Sequence, residues 1–125
     1  MSSRHKLREI GMTSLYQSFL LNKDIRQSVY DNNDSNEVDP FLYTITIDGM
    51  KYKDVYIEQV NALLQGDWTF ERLGYIEQAI LIMACCELDL EVSPKEIVLD
   101  EAIILAKKYC DKDTYKLING VLDKL

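Results

Sequence analysis

One histidine, two prolines, five glycines and one tryptophan are all that this chain of 125 residues holds of those types. Scarce Gly and Pro argue against a turn-rich sheet protein and for helices. The lone His5 and the cysteines Cys85, Cys86 and Cys110 form no metal-ligand spacing, so no metal site is expected. Adjacent cysteines rarely bond to each other, and an odd set with no C-x-x-C pair is expected to pack as reduced, small hydrophobes. No apolar run approaches the roughly 18 residues of a membrane span, and residues 1–20 mix charge with hydrophobes where a signal peptide would be apolar. A soluble, cytoplasmic chain is the expectation. The glycines, at 11, 49, 66, 74 and 120, make no dinucleotide or phosphate loop, and no nucleophile stands in a recognisable pattern with a base. Neither an enzyme nor a cofactor is indicated.

What is present is globular composition, 47% hydrophobic and 28% charged, in a length that suits one domain spanning residues 1–125. Net charge is −7, which disfavours nucleic acid until its distribution is considered. Residues 1–26 carry a net +3 and residues 27–125 a net −10. Screening acts over about 8–10 Å in physiological salt, so a local basic patch can hold phosphate on an acidic body.

Leu7, Ile10, Gly11, Ser14, Leu15, Ser18 and Leu21 fall at helical spacing, with Ser2 or Ser3 as cap, and predict a helix over 4–22. Gly11 on its inner face implies close helix contact. Residues 31–39 are polar, acidic and aperiodic, and read as a loop. The stretch 41–47 is ambiguous: Tyr43 to Ile47 before Asp48-Gly49 suits a strand entering a hairpin, while Phe41, Leu42, Ile45, Gly49 and Met50 suit a helical face. Val55 to Leu64 predicts a helix ending near Gly66, and Asp67 a cap for a short turn holding Trp68 and Phe70. Leu73, Ile76, Ala79, Ile80, Met83, Ala84 and Leu88 predict a helix apolar on nearly two faces, hence the buried centre of a bundle. Ser93-Pro94-Lys95-Glu96 has capping-box spacing, with Asp100 as the alternative cap. Asp111 or Asp113 caps a last helix whose buried face is Tyr115, Ile118, Leu122 and Leu125. Gly120 lies inside that helix at a cost of about 1 kcal/mol relative to Ala, which implies a backbone or a ligand close against it.

Two basic groups are candidates for phosphate. Arg4-His5-Lys6-Leu7-Arg8 opens the first helix, and Arg offers bidentate donors and a stacking plane. Lys108, Lys112 and Lys116 recur every four residues around the last break, where lysines also complement a helix C-terminus. Tyr16, on an otherwise aliphatic helix, and Glu77, in the most apolar one, fit either a surface rim or a partner contact.

Basic Arg4, Lys6 and Arg8-Glu9, then Leu15-Tyr16-Gln17, Trp68 to Leu73, Ile76 to Leu81, Ser93 to Val98 and above all Asn119-Gly120-Val121-Leu122-Asp123-Lys124 together resemble the NusB family of transcription antitermination factors. The resemblance covers residues 4–22 and 67–125. It implies an all-α, single-domain bundle of about six to seven helices in two packed groups, with a helix at 41–47. It further implies a non-catalytic factor that pairs with NusE, a ribosomal small-subunit protein, and holds boxA RNA. RNA polymerase, with other Nus factors, would then resist termination, notably on ribosomal RNA operons. Carried over by position, Arg4, His5, Lys6 and Arg8 would grip the RNA backbone, Lys112, Asp113, Lys116 and Leu117 would lie beside its bases, and Tyr16 and Glu77 would face NusE. Leu117 stands where the family often has an aromatic, which makes that contact apolar. The rivals are the RNA-binding domain of a ribosomal RNA cytosine methyltransferase, for which the chain is short, and a helical interaction module or homodimer that binds no RNA.

Overall fold

A computed structural model describes residues 3–125, so Ser2 as an alternative cap lies outside the described residues. The elements are α1 (Arg4–Leu21), α2 (Ile25–Asn32), α3 (Pro40–Tyr43), a π-helical stretch (Thr44–Asp48), α4 (Gly49–Lys51), α5 (Lys53–Leu63), a 3-10 turn (Phe70–Arg72), α6 (Tyr75–Asp89), α7 (Lys95–Tyr109) and α8 (Lys112–Leu122). Because α3, the π stretch and α4 run on without a break, the described residues form seven helical rods and no strand. α1 to α4 form one group and α5 to α8 the other, joined chiefly where α1 packs on α6.

The central rod is α6, buried without interruption from Gln78 to Glu87. A helix so apolar has no solvent face, and each of Ile80, Leu81, Ile82 and Met83 contributes about 1.5–3 kcal/mol by leaving water. Its one buried amide is satisfied: Gln78 Nε2 donates to Phe70 O and Leu73 O, both at 3.0 Å, tying the 3-10 turn to the helix start.

The ambiguous stretch at 41–47 is helical. Asp39 caps it by accepting from Phe41 N at 2.8 Å, with Pro40 in the first turn. Phe41, Leu42, Ile45 and Thr46 are buried while Tyr43 is exposed, an order that suits helical turns and breaks the alternation a strand requires. Gly11 explains the close approach, since a Cβ there would stand 2.7 Å from Ile45 Cδ1 and 3.3 Å from Met83 Sδ. The first rod therefore lies tight against both the π stretch and α6.

Two of the expected caps form and two do not. Ser3 Oγ accepts from Lys6 N at 3.2 Å, and Asp111 rather than Asp113 caps α8 through Thr114 N at 2.9 Å. α7, however, begins after Pro94 with no side-chain cap, so neither Ser93 nor Asp100 serves there. Ser93 Oγ is engaged by Glu87, and Asp100 lies a turn inside α7. Asp67 likewise caps nothing through its side chain; its carbonyl receives Arg72 Nη1 at 2.8 Å. On α8 the buried face is Ile118, Val121 and Leu122, with Tyr115 and Leu125 half-buried. α2 escaped the periodicity because only Ser28 and Val29 are buried on it. It is held by Ser28 Oγ donating to Ser14 O at 2.6 Å and by Asn32 Nδ2 donating to Gln17 Oε1 at 2.7 Å.

Candidate functional site

α1 and α7 flank α6, and polar side chains lace the seam between them. His5 Nδ1 lies 2.8 Å from Glu101 Oε2 and its Nε2 3.2 Å from Glu9 Oε1. Carboxylates only accept, so both contacts are hydrogen bonds at once only for the doubly protonated ring. Further along, Glu9 Oε2 accepts from Lys108 Nζ at 3.0 Å and from the Tyr109 hydroxyl. Those bonds, Tyr109 first and Lys108 next, hold the Glu9 carboxyl below its ordinary value of 4.5 against a weaker opposing effect of burial. The same partnership raises the Lys108 ammonium. His5 of the basic N-terminus and Lys108 before the last break, far apart in sequence, thus meet on the same acid, Glu9.

Arg8 does not open onto that surface. Its side chain is buried against Glu87, Nε donating to Oε2 at 3.0 Å and Nη2 to Oε1 at 2.7 Å. Glu87 is also met by Ser93 Oγ at 3.0 Å, and Arg8 Nη1 stands 3.9 Å from Glu101. The expectation that Arg8 grips phosphate is corrected here, because its fork is occupied by a buried carboxylate. Arg4 is exposed yet anchored, donating to Val92 O at 2.8 Å and Ser93 Oγ at 3.0 Å, with its guanidinium 4.4 Å from the Phe41 ring centroid. Lys6 is exposed and has no ion-pair partner among the described residues. Glu87, Ser93, Glu101 and Phe41 were not singled out from sequence as parts of this cluster; an acid within the apolar run of α6 was the available signal.

On α8, Lys112, Asp113 and Lys116 are exposed and Leu117 is half-buried. Lys116 and Leu117 border a groove of about 240 Å³ whose other side is Leu63, Leu64 and Gln65 at the end of α5. Gly120 also lines it, and a Cβ added there would meet nothing within 4 Å. The expected close-packed backbone against Gly120 is absent, so the fold itself gives no reason for a glycine at this point of the helix.

Tyr16 and Glu77 come to the same end of the bundle. Phe19, one turn after Tyr16, has its ring centroid 6.2 Å from that of Tyr75, two residues before Glu77. Both Tyr16 and Glu77 are half-buried, and Leu20 and Tyr75 beside them are exposed. The Glu77 carboxylate bends back towards Gly74. Burial, and after it Glu77, push the Cys110 thiol up to about 12.

No group of three or more histidine, cysteine or acidic side chains among the described residues could hold a metal ion, and no helix among them is long and apolar enough to cross a membrane.

These features define an all-α bundle wrapped on one apolar helix, with an ion-laced seam between its first rod and the penultimate one. Residues 5–125 match the model of the NusB family. The chain is 32% identical to the transcription antitermination protein NusB of Exiguobacterium sp., over 98% of this chain and 95% of that protein. It is also 32% identical to the NusB of Neisseria meningitidis serogroup B, over 99% and 90%. Among solved structures, NusB of T. maritima superposes with a TM-score of 0.83 at 24% identity, covering 98% of this chain and 89% of that one. NusB in a crystal structure of antitermination factors NusB and NusE with dsRNA superposes at 0.82 and 21% identity, covering 97% and 93%. The chain belongs to the NusB family.

Proposed function

We propose that this protein is a cytoplasmic transcription antitermination factor without catalytic activity. As a single binding domain it holds boxA RNA together with NusE, so that RNA polymerase, with other Nus factors, resists termination in ribosomal RNA transcription. The observation that carries the reading is the α1–α7 seam, where His5 and Lys108 meet on Glu9 while Arg4 and Lys6 of the same first helix stay exposed, on a chain of net charge −7. The family membership and the relatives named as antitermination proteins support it, as does a neighbour solved with NusE and dsRNA.

On this reading Arg4, His5 and Lys6 meet the RNA backbone, and Lys112, Asp113, Lys116 and Leu117 lie beside its bases. Arg8 is a positioning residue: held on Glu87, it ties α1, which carries Lys6, to α6. Tyr16 and Glu77 face NusE. A body this acidic repels phosphate over most of its surface, so RNA affinity is modest alone and increases when a partner adds cations.

Fluorescence anisotropy of a labelled boxA RNA, titrated at two salt concentrations with and without NusE, tests the proposal. Weak binding that tightens with NusE and erodes with salt is the expected outcome. Charge reversal at Arg4 and Lys6 should weaken binding and flatten its salt dependence. No binding by the folded protein in any condition would leave a protein-only interaction module.

A further inference from the structure

Arg4 has no compensating acid. The first turn of α1 holds no carboxylate, and Arg4 enters no ion pair among the described residues, although a cation at a helix start opposes the helix dipole. Its guanidinium is nevertheless held from two directions. Nη1 spends both of its hydrogens, on Val92 O at 2.8 Å and on Ser93 Oγ at 3.0 Å. The central carbon lies over the Phe41 ring, 4.4 Å from its centroid.

These supports are themselves fixed. Val92 N donates to Glu87 O at 3.2 Å, which ties the turn between α6 and α7 to the central helix. Ser93 Oγ donates to Glu87 Oε1 at 3.0 Å, and Phe41 belongs to the core. The same ring stands 5.1 Å from the Arg8 guanidinium, but Arg8 is buried and neutralised by Glu87. Of the two arginines on Phe41, only Arg4 is exposed. An arginine has five donors, and Nε and Nη2 of Arg4 meet no acceptor among the described residues. Those two nitrogens form one edge of the guanidinium plane, and that edge matches two oxygens of a phosphate. A side chain already pinned loses little rotamer freedom on binding, whereas a free arginine would have to be ordered at that moment.

We infer that Phe41, Val92 and Ser93 are positioning residues that preset Arg4 as a bidentate fork for one RNA phosphate. The inference rests on the RNA-binding reading and extends it to the start of α3 and to the α6–α7 turn, whose part is to hold Arg4. On this account the shape of the Arg4 side chain counts as well as its charge.

Titration of a labelled boxA RNA in the presence of NusE, at two salt concentrations, tests the arrangement. Arg4→Ala should weaken binding about tenfold, for loss of a charge-assisted pair of hydrogen bonds, and lower the slope of log affinity on log salt by about 0.7. Arg4→Lys keeps the charge without the fork and should weaken binding about fivefold. Phe41→Leu removes the ring and keeps an apolar side chain, and should weaken binding about threefold. In the Arg4→Ala background the same Phe41→Leu change should have no effect, because it acts through Arg4.

Damage to the core would instead lower affinity equally in both backgrounds, and that result refutes the positioning role of Phe41. Arg4 is exposed, so its own variants fold whatever Phe41→Leu does. Arg4→Lys binding within about twofold of the unaltered protein would show that a point charge suffices and refute the fork. If Arg4→Ala itself binds within about twofold, the fork fails and the RNA-binding reading stands. If the unaltered protein binds no RNA even with NusE, both fail.

Discussion

Arg8 and Glu87 join the first helix to the central one through two hydrogen bonds, of 3.0 and 2.7 Å, with both side chains only 3% exposed. The guanidinium fork matches the carboxylate, and Ser93 accepts from Arg8 and donates to Glu87. Such a pair adds little net stability over a packed apolar pair, but halving it strands a buried charge.

Glu87→Ala or Arg8→Ala should therefore cost about 3–5 kcal/mol, read as a lowered midpoint in denaturant. The double replacement Arg8→Met with Glu87→Leu should recover most of the loss. Equal losses in all three variants would show that the pair contributes packing alone.

Lys6 and Arg8 should part company in RNA binding. Lys6→Ala is expected to leave thermal stability within about 0.5 kcal/mol, as for other exposed sites, and to lower the salt slope. The stable Arg8→Met, Glu87→Leu protein should retain the slope of the unaltered one. A salt titration of both variants decides the matter, and a flattened slope in the double variant would return Arg8 to the contact surface.

Acid should loosen the α1–α7 seam. Tyr109 and Lys108 hold Glu9 below its ordinary value of 4.5, so its folded-state value is depressed. The resulting stability is present above the unfolded value and is lost as pH falls through the folded one. Glu9→Gln should flatten stability against pH in the region below about 4.5, with little change in shape near neutrality. Denaturant melts across the acid range would expose an unaltered profile and so refute the role.

The cysteines should be unreactive. Burial pushes the Cys85 and Cys86 thiols up to about 12, and Cys110 to the same level with Glu77 adding to the effect. Thiolate is the reactive form, so alkylation at pH 8 should be negligible in the native protein and reach all three free thiols in denaturant. Rapid native labelling at one site, located by peptide mapping, would contradict its placement.

Gly11→Ala should lower stability, whereas Gly120→Ala, whose added methyl group meets nothing within 4 Å inside α8, should raise it by about 1 kcal/mol. The methyl group of Gly11→Ala would stand 2.7 Å from Ile45 Cδ1, so the buried Ile45 side chain must give way, at about 1–3 kcal/mol of overpacking. Thermal melts of the two single variants make the comparison.

Local physics was legible in the chain. Periodic apolar residues marked α1, α5, α6 and α8, because a 3.6-residue repeat is a property of neighbours in sequence. A near-continuous apolar run marked α6 as central, and Gly11 correctly signalled close approach. The candidate cations Arg4, Lys6, Lys112 and Lys116 were visible as charges, and Tyr16 and Glu77 as departures from their surroundings. Tertiary structure alone decided what those side chains are free to do. Arg8 looked like its basic neighbours until Glu87, 79 residues away, was found to occupy it. Ser93 had the spacing of a cap, yet two arginines and a glutamate compete for its hydroxyl. Gly120 implied a close neighbour, and only the fold established that its own chain does not provide one. Charge, propensity and periodicity are set residue by residue, whereas burial and the pairing of ions depend on which distant segments the packing brings within about 4 Å.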